Sequence, residues 1–297
     1  MSLRDVVDLL VCPHCGAPLA LDPADRTASC NSGHAFDIAR QGYLNLRGSS
    51  EPRNADTMVM LAARDRFLSA GWYAPVADAV LQFASDTSGR PIERIVDCGA
   101  GPGYYLAHLL DELPSSRGIA VDVSTAAAKR AARAHQHVGS VVADTWKTLP
   151  IADQAVDLVL SVFSPRNAAE FRRVLAPNGH LIIVSPQPGH LAEVRGPLNL
   201  IDINPDKQDR LAATLGRFFE VEEIADVTTL TEMPVTAVED LITMGPNAFH
   251  LDPDQIAERV RTLKPPLTIT VSVSVTRWKP RPAHLFPKLV PNSGSWA

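Results

Sequence analysis

The chain has 297 residues, 45% of them hydrophobic, and a formal net charge of -5. That length supplies one large or two modest cores, and the acidic balance excludes a partner held by bulk positive charge, so any nucleic acid must meet a local patch. No apolar run approaches the roughly 18 residues of a membrane-spanning helix, and the start, MSLRDVVDLLVC, lacks the basic leader and long apolar core of a signal peptide, so a cytoplasmic protein with reduced thiols and no membrane partner is expected.

The first element is a cysteine knuckle. Cys12 and Cys15 form a C-x2-C pair, and Cys30 and His34 form a second pair downstream. In a reducing compartment such a cluster reads as a metal site before it reads as disulfides. Three thiolates, one imidazole and no spare position suit tetrahedral structural zinc. The knuckle is too small for a core of its own, so zinc is expected to supply much of its folding free energy. Arg40, Arg47, Arg53, Arg64 and Arg66 then make the most arginine-rich part of the chain. Two readings stay open for them: a surface that meets phosphates, or solvated helix and loop charge. From Asp56 onward, Met58, Leu61, Ala62, Phe67 and Leu68 fall roughly at helical spacing.

From Pro91 the pattern alternates between strands and helices. RIVDCGAGPGYYLAHLLDEL predicts a short apolar strand, a glycine-rich turn and an amphipathic helix. RGIAVDVS predicts a second strand, TAAAKRAARAH a helix, SVVADT a third strand and VDLVLSVFS a fourth. AAEFRRVLAPNG predicts a helix with a glycine stop, and HLIIVSP a fifth strand. Units of this kind argue for an α/β fold, with a parallel sheet covered by helices on both faces. Beyond Val221 come a strand, two helices and LTITVSVSVTRW, whose period of two predicts an antiparallel edge strand.

The chemistry concentrates at the carboxyl ends of the strands, where ligands bind in such sheets. Asp97 and Cys98 precede Gly99, Ala100, Gly101, Pro102 and Gly103 there. Glycines let the backbone approach a ligand and turn into the next helix. Asp122 ends the second strand, placed to accept bonds from a ribose diol, and Asp144 ends the third, near where an adenine would lie. Dinucleotide binders use a longer glycine motif whose helix start meets a pyrophosphate. An acid before a shorter motif suits a cofactor with a positive charge and no phosphate, and S-adenosylmethionine fits. The other reading is a purely structural glycine turn, and Cys98 is expected to pack rather than react. After the fourth strand, Phe163 is either a stacking surface for a flipped base or core. Arg166 is either a contact to phosphate or O6 or a helix-start charge. No residue is singled out as a catalytic base.

Together these segments resemble the RlmA-type family of 23S rRNA (guanine-N1)-methyltransferases, and within it the tylosin-resistance branch. The likeness runs from about Val11 to Trp278. It is carried by CPHCGAPL, GHAFDIARQGYLNL, SAGWYAPV, the GYY end of the glycine turn, FSPRNAAEFRRVLAPNGHLIIVSPQPGHLAEVR and MGPNAFHLDP. The resemblance implies a Rossmann-like class I methyltransferase domain over residues 91–278, using S-adenosyl-L-methionine. It implies an N-terminal zinc-binding RNA-recognition domain over 1–50, a helical connector over 51–90 that contributes to the cofactor site, and a Pro-rich tail over 279–297. Zinc would sit on Cys12, Cys15, Cys30 and His34, and Tyr73, Ala100, Gly101 and His190 would touch the cofactor. The implied reaction is methyl transfer to N1 of a guanine in a hairpin of domain II of 23S rRNA, near the peptide exit tunnel. The implied assembly is a homodimer whose zinc domains help form an RNA cleft. On the residues alone, a small-molecule methyltransferase and a non-catalytic rRNA-binding protein stay open.

Overall fold

We describe the chain from a computed structural model, which covers residues 3–48, 55–86, 90–203 and 213–282. A 3-10 turn at Val7–Leu9 leads into three short strands, β1 (Ala20–Leu21), β2 (Thr27–Ser29) and β3 (Ala35–Asp37), which form an antiparallel sheet in that order. A fourth strand, β4 (Tyr43–Asn45), leaves this small sheet and lies parallel to β7 (Val138–Val142) at the edge of the main one. The cysteine-bearing segment is also hydrogen-bonded to the connection between β7 and β8 (Val156–Val162). Val11 N–H donates to the Pro150 carbonyl, and Ala152 N–H donates to that of Leu9.

Two helices follow, α1 (Met58–Ser69) and α2 (Ala74–Ser85). Thr57 caps α1 by accepting a bond from the Met60 N–H, as a threonine before an apolar helical run is suited to do. The repeating part is β5 (Arg94–Cys98), α3 (Tyr104–Glu112), β6 (Arg117–Asp122), α4 (Thr125–Ala131), β7, β8 (Val156–Val162), α5 (Ala168–Val174) and β9 (Leu175–Pro186). A short helix, α6 (Ala192–Arg195), precedes β10 (Phe219–Met233), α7 (Val235–Thr243), α8 (Pro253–Arg261) and β11 (Leu267–Pro280).

The main sheet of the described residues has eight strands in the order β10-β11-β9-β8-β5-β6-β7-β4. From β9 through β4 the strands are parallel; β11 runs against them, and β10, antiparallel to β11, runs with them again. Successive residues of the buried strands feed opposite layers. Ile182 and Val184 of β9 pack with α1, α2, α3, α7 and α8, whereas Leu181 and Ile183 pack with Phe171 of α5 and with the knuckle. Phe171 is fully buried, and burying a side chain of that size contributes about 1.5–3 kcal/mol.

Two expectations need correction. LTITVSVSVTRW is antiparallel but not an edge: β11 lies between β9 and β10, and β10 pairs with it along nearly its whole length. The helix read as AAEFRRVLAPNG ends at Val174, because Leu175 pairs with Val156 and the chain enters β9 well before Gly179. The expected boundary at residue 50 lies outside the described residues, as do 283–297 of the expected tail, whose first two residues belong to β11.

Candidate cofactor site and metal centre

The metal centre is built by two turns. Cys12 and Cys15 flank one, in which the Gly16 N–H bonds to the Cys12 carbonyl. Cys30 and His34 flank the other, closed by the Cys30 N–H on the His34 carbonyl. Their four ligand atoms all lie within 4.8 Å of one another. Cys15 and Cys30 sulfurs are 3.7 Å apart, and His34 Nδ1 is 3.5 Å from Cys12 Sγ and 3.4 Å from Cys30 Sγ. Zinc bonds of about 2.3 Å to sulfur and about 2.0 Å to nitrogen place tetrahedral ligands roughly 3.5–3.8 Å apart, so the four groups fit that ion. The Ala17 amide, with Ser32 behind it, holds the Cys15 thiol down to about 6, so a ready thiolate is available to a metal. Cys12 is buried, and burial pushes its thiol up.

The cofactor cradle forms where β5 and β6 end. Asp97 is 1% exposed, and neither of its carboxylate oxygens has a hydrogen-bond partner among the described residues. Burial, and then the neighbouring charge of Asp122, push its carboxyl up to about 7. An orphaned buried carboxylate is costly unless a cation meets it. Asp122 faces the turn from the next strand: one oxygen accepts the Gly101 N–H at 2.8 Å and the other the Ser124 N–H at 2.8 Å. Gly99 has φ +80°, and a Cβ there would stand 2.5 Å from the Ser164 Cβ. Two acids and a glycine-rich turn at the strand ends fit an amino-acid end and a ribose better than a pyrophosphate.

A second wall is aromatic. Tyr73 and His190 are both buried, and the Tyr73 hydroxyl lies 3.2 Å from His190 Nε2. His190 Nδ1 accepts the Ser272 N–H at 3.1 Å, which leaves the proton of the neutral ring on Nε2, pointing at Tyr73. Burial lowers His190 to about 4 and raises the Tyr73 phenol. Phe163 rests on both rings, with centroids 5.8 Å from Tyr73 and 6.1 Å from His190.

The structure thus gathers Asp97, Gly99, Gly101 and Asp122 on one rim, and Tyr73 with His190 on another part of it. Ala100 is buried in the turn, and Gly103 starts α3 in a left-handed conformation. Asp144 lies two residues past β7, where one oxygen accepts the Trp146 N–H at 3.0 Å. Arg166 donates to the Ser185 hydroxyl at 2.7 Å. The described arginines have separate partners. Arg64 bonds to the Asp56 carboxylate and the Met244 carbonyl, Arg66 pairs with Asp240, and Arg47 donates to the Val123 carbonyl. Two of them, Arg64 and Arg66, are thus held in ion pairs within the protein. Arg40 is exposed and lines a cleft with Arg133 and His135, and Arg53 lies outside the described residues. Sequence reading missed the place of Arg64 over the glycine turn. No local sequence signal marks it, because its partner at Met244 is 180 positions away in the chain.

Beside the extra strand β4, the sheet order is that of the Rossmann-like methyltransferases, and the acidic glycine turn is their S-adenosylmethionine cradle, so the chain is a methyltransferase fold carrying a zinc ribbon. Comparison with known proteins agrees on both parts. Residues 95–179 match a methyltransferase domain, and residues 10–47 match the N-terminal zinc ribbon of RlmA. The chain is 42% identical over 291 residues to the "Putative 23S rRNA (guanine-N(1)-)-methyltransferase" of Micromonospora griseorubida, covering 93% of this chain and 99% of that one. It is 41% identical over 280 residues to the 23S rRNA (guanine(748)-N(1))-methyltransferase of Streptomyces fradiae, covering 94% and 99%. The chain belongs to the family of 23S rRNA (guanine-N1)-methyltransferases.

Proposed function

We propose that this protein transfers the methyl group of S-adenosylmethionine to N1 of a guanine in the domain II hairpin of 23S rRNA. The observation that carries this reading is the match, over 94% of the chain, to an enzyme named for methylating N1 of guanine 748. In this reading it works in the bacterial cytoplasm as a homodimer, and the methyl group it adds contributes to tylosin resistance.

The residues divide the work. Asp97 takes the ammonium of the cofactor, which would relieve its two unpartnered buried oxygens. Asp122 holds the ribose diol, and Asp144 lies beside the adenine. Ala100 and Gly101 bring backbone close to the ligand, with Gly99 and Gly103 turning the chain around it. Tyr73 and His190 wall the methyl-bearing end. When bound, S-adenosylmethionine supplies a methyl group on a sulfonium, open to in-line attack. Guanine N1 must lose a proton as the bond forms. His190 does not take it, because both ring nitrogens are engaged, one by Ser272 and one by Tyr73. Cys12, Cys15, Cys30 and His34 hold zinc and so keep the N-terminal ribbon in shape for RNA.

The test is primer extension. Purified protein is incubated with S-adenosylmethionine and unmethylated 23S rRNA, and reverse transcription is run across the hairpin. A methyl on N1 blocks Watson–Crick pairing, so a cofactor-dependent stop one nucleotide before a guanine is expected. A stop elsewhere, or none with cofactor binding intact, would move the acceptor to another RNA site or to a small molecule.

A further inference from the structure

We propose that Phe163 is the stacking platform for the acceptor base; the inference rests on the guanine reading above. Phe163 is the first residue beyond β8, on the strand that neighbours β5 and its glycine turn. Its N–H donates to the Val184 carbonyl at 3.2 Å, which fixes it between the ends of β8 and β9. That is the rim where ligands of such sheets bind.

Its backbone is unusual. Phe163 has φ +52°, a left-handed conformation that a bulky aromatic residue rarely adopts. Such strain persists only where the surroundings enforce it, and it collects at ligand sites. The enforcement is visible. The next residue, Ser164, donates to the Cys98 carbonyl at 2.5 Å and lies 3.0 Å from the Ser161 hydroxyl, so the chain is pinned to β5 just after the kink.

The kink turns the ring outward. Phe163 is 40% exposed, whereas Phe67 and Phe171 are buried in the two core layers. One side of its ring is supported by Tyr73 and, at an interplanar angle of 29°, by His190. Both supports are buried, and each is hydrogen-bonded to the other. A half-open aromatic surface on a rigid, uncharged floor suits a planar neutral ring, not a phosphate. Every nucleobase has such a face, and enzymes that act on a base inside a folded strand must first extrude it and hold it. Stacking on Phe163 would present the edge of the base to the methyl-bearing end walled by Tyr73 and His190.

The test uses full-length protein, S-adenosylmethionine and the 23S rRNA hairpin. Phe163→Leu keeps an apolar side chain without a ring face. Phe163→Asn removes the ring but accepts a left-handed backbone, which guards against loss by misfolding. Both should bind the cofactor as wild type does and lose about 10- to 100-fold in single-turnover methyl transfer, while Phe163→Tyr and Phe163→Trp recover most of it. Leucine or asparagine variants that transfer at the wild-type rate would overturn the assignment, as would ring-bearing variants no better than leucine. Failure of the wild type to mark any guanine of the hairpin, with cofactor binding intact, would instead overturn the guanine reading and the platform with it.

Discussion

Arg64 lies across the glycine turn, with Nη1 2.9 Å from where a Cβ on Gly101 would stand. Gly101 also has φ +56° and gives its N–H to Asp122. Three demands therefore meet at one residue: a left-handed backbone, room for a guanidinium, and a bond that orients the Asp122 carboxylate. Gly101→Ala is expected to cost about 1–2 kcal/mol in stability and to weaken S-adenosylmethionine binding about tenfold or more. Calorimetric titration and thermal melting check both. A variant with wild-type affinity would mean that the turn relaxes without disturbing Asp122.

If Asp97 holds the ammonium as proposed, cofactor binding should be sensitive to pH. Its carboxyl is held at about 7, above the ordinary 3.8, so near neutrality the free protein is partly protonated there. An ammonium is attracted to the ionised form, so affinity should rise with pH, by roughly tenfold between pH 6 and pH 8. The contribution of Asp97 to the stability of the free protein runs the other way. The folded state keeps this proton longer than the unfolded state, so that contribution falls as pH rises from about 4 to about 7 and then levels. Asp97→Asn should remove both dependences. A cofactor affinity that stays flat across this window in the wild type would contradict the role of Asp97.

Much of this arrangement was legible in the sequence, for reasons that are local. Alternating apolar strands and helices mark the parallel sheet, and Asp97 before the glycines marks its rim. The C-x2-C pair marks the ribbon. What was not legible depends on pairing between distant segments. Nothing local in YLN says that β4 joins β7, and nothing in LTITVSVSV says that β10 covers its outer edge. Arg64 and Arg66 read as surface charge because their distant partners, Met244 and Asp240, are set by how α1 packs on α7. Phe163 stayed undecided between core and surface because a left-handed φ has no signature in a phenylalanine.

His190 should limit stability in acid. Burial holds it at about 4 in the folded protein, below the ordinary 6.5. A base lowered in this way contributes stability that is present above 6.5 and lost as pH falls toward 4, on the order of 3 kcal/mol across that window. His190→Gln keeps a polar side chain and cannot take up this proton. Its melting temperature should therefore fall less than that of the wild type between pH 7 and about pH 4. Parallel melting curves for the two proteins would show that His190 does not titrate in this range.

Zinc should stabilise the whole protein and not the ribbon alone. Cys12 and Cys30 are buried in the same apolar layer as Val141 and Ile151, and β4 is hydrogen-bonded to β7. Losing the ion leaves three close thiols to repel or protonate, and the turns that hold them have no core of their own. Their loosening would expose Leu10 and Leu44, both fully buried against the catalytic sheet. A strong chelator, or Cys30→Ser, is thus expected to lower the melting temperature of the main transition by about 5 °C or more, with the drop reversed when zinc is restored to chelated protein. Calorimetry separates the alternatives. One cooperative transition that moves with zinc supports a ribbon built into the sheet, whereas a separate low-temperature step with an unmoved main transition would show that the ribbon folds independently.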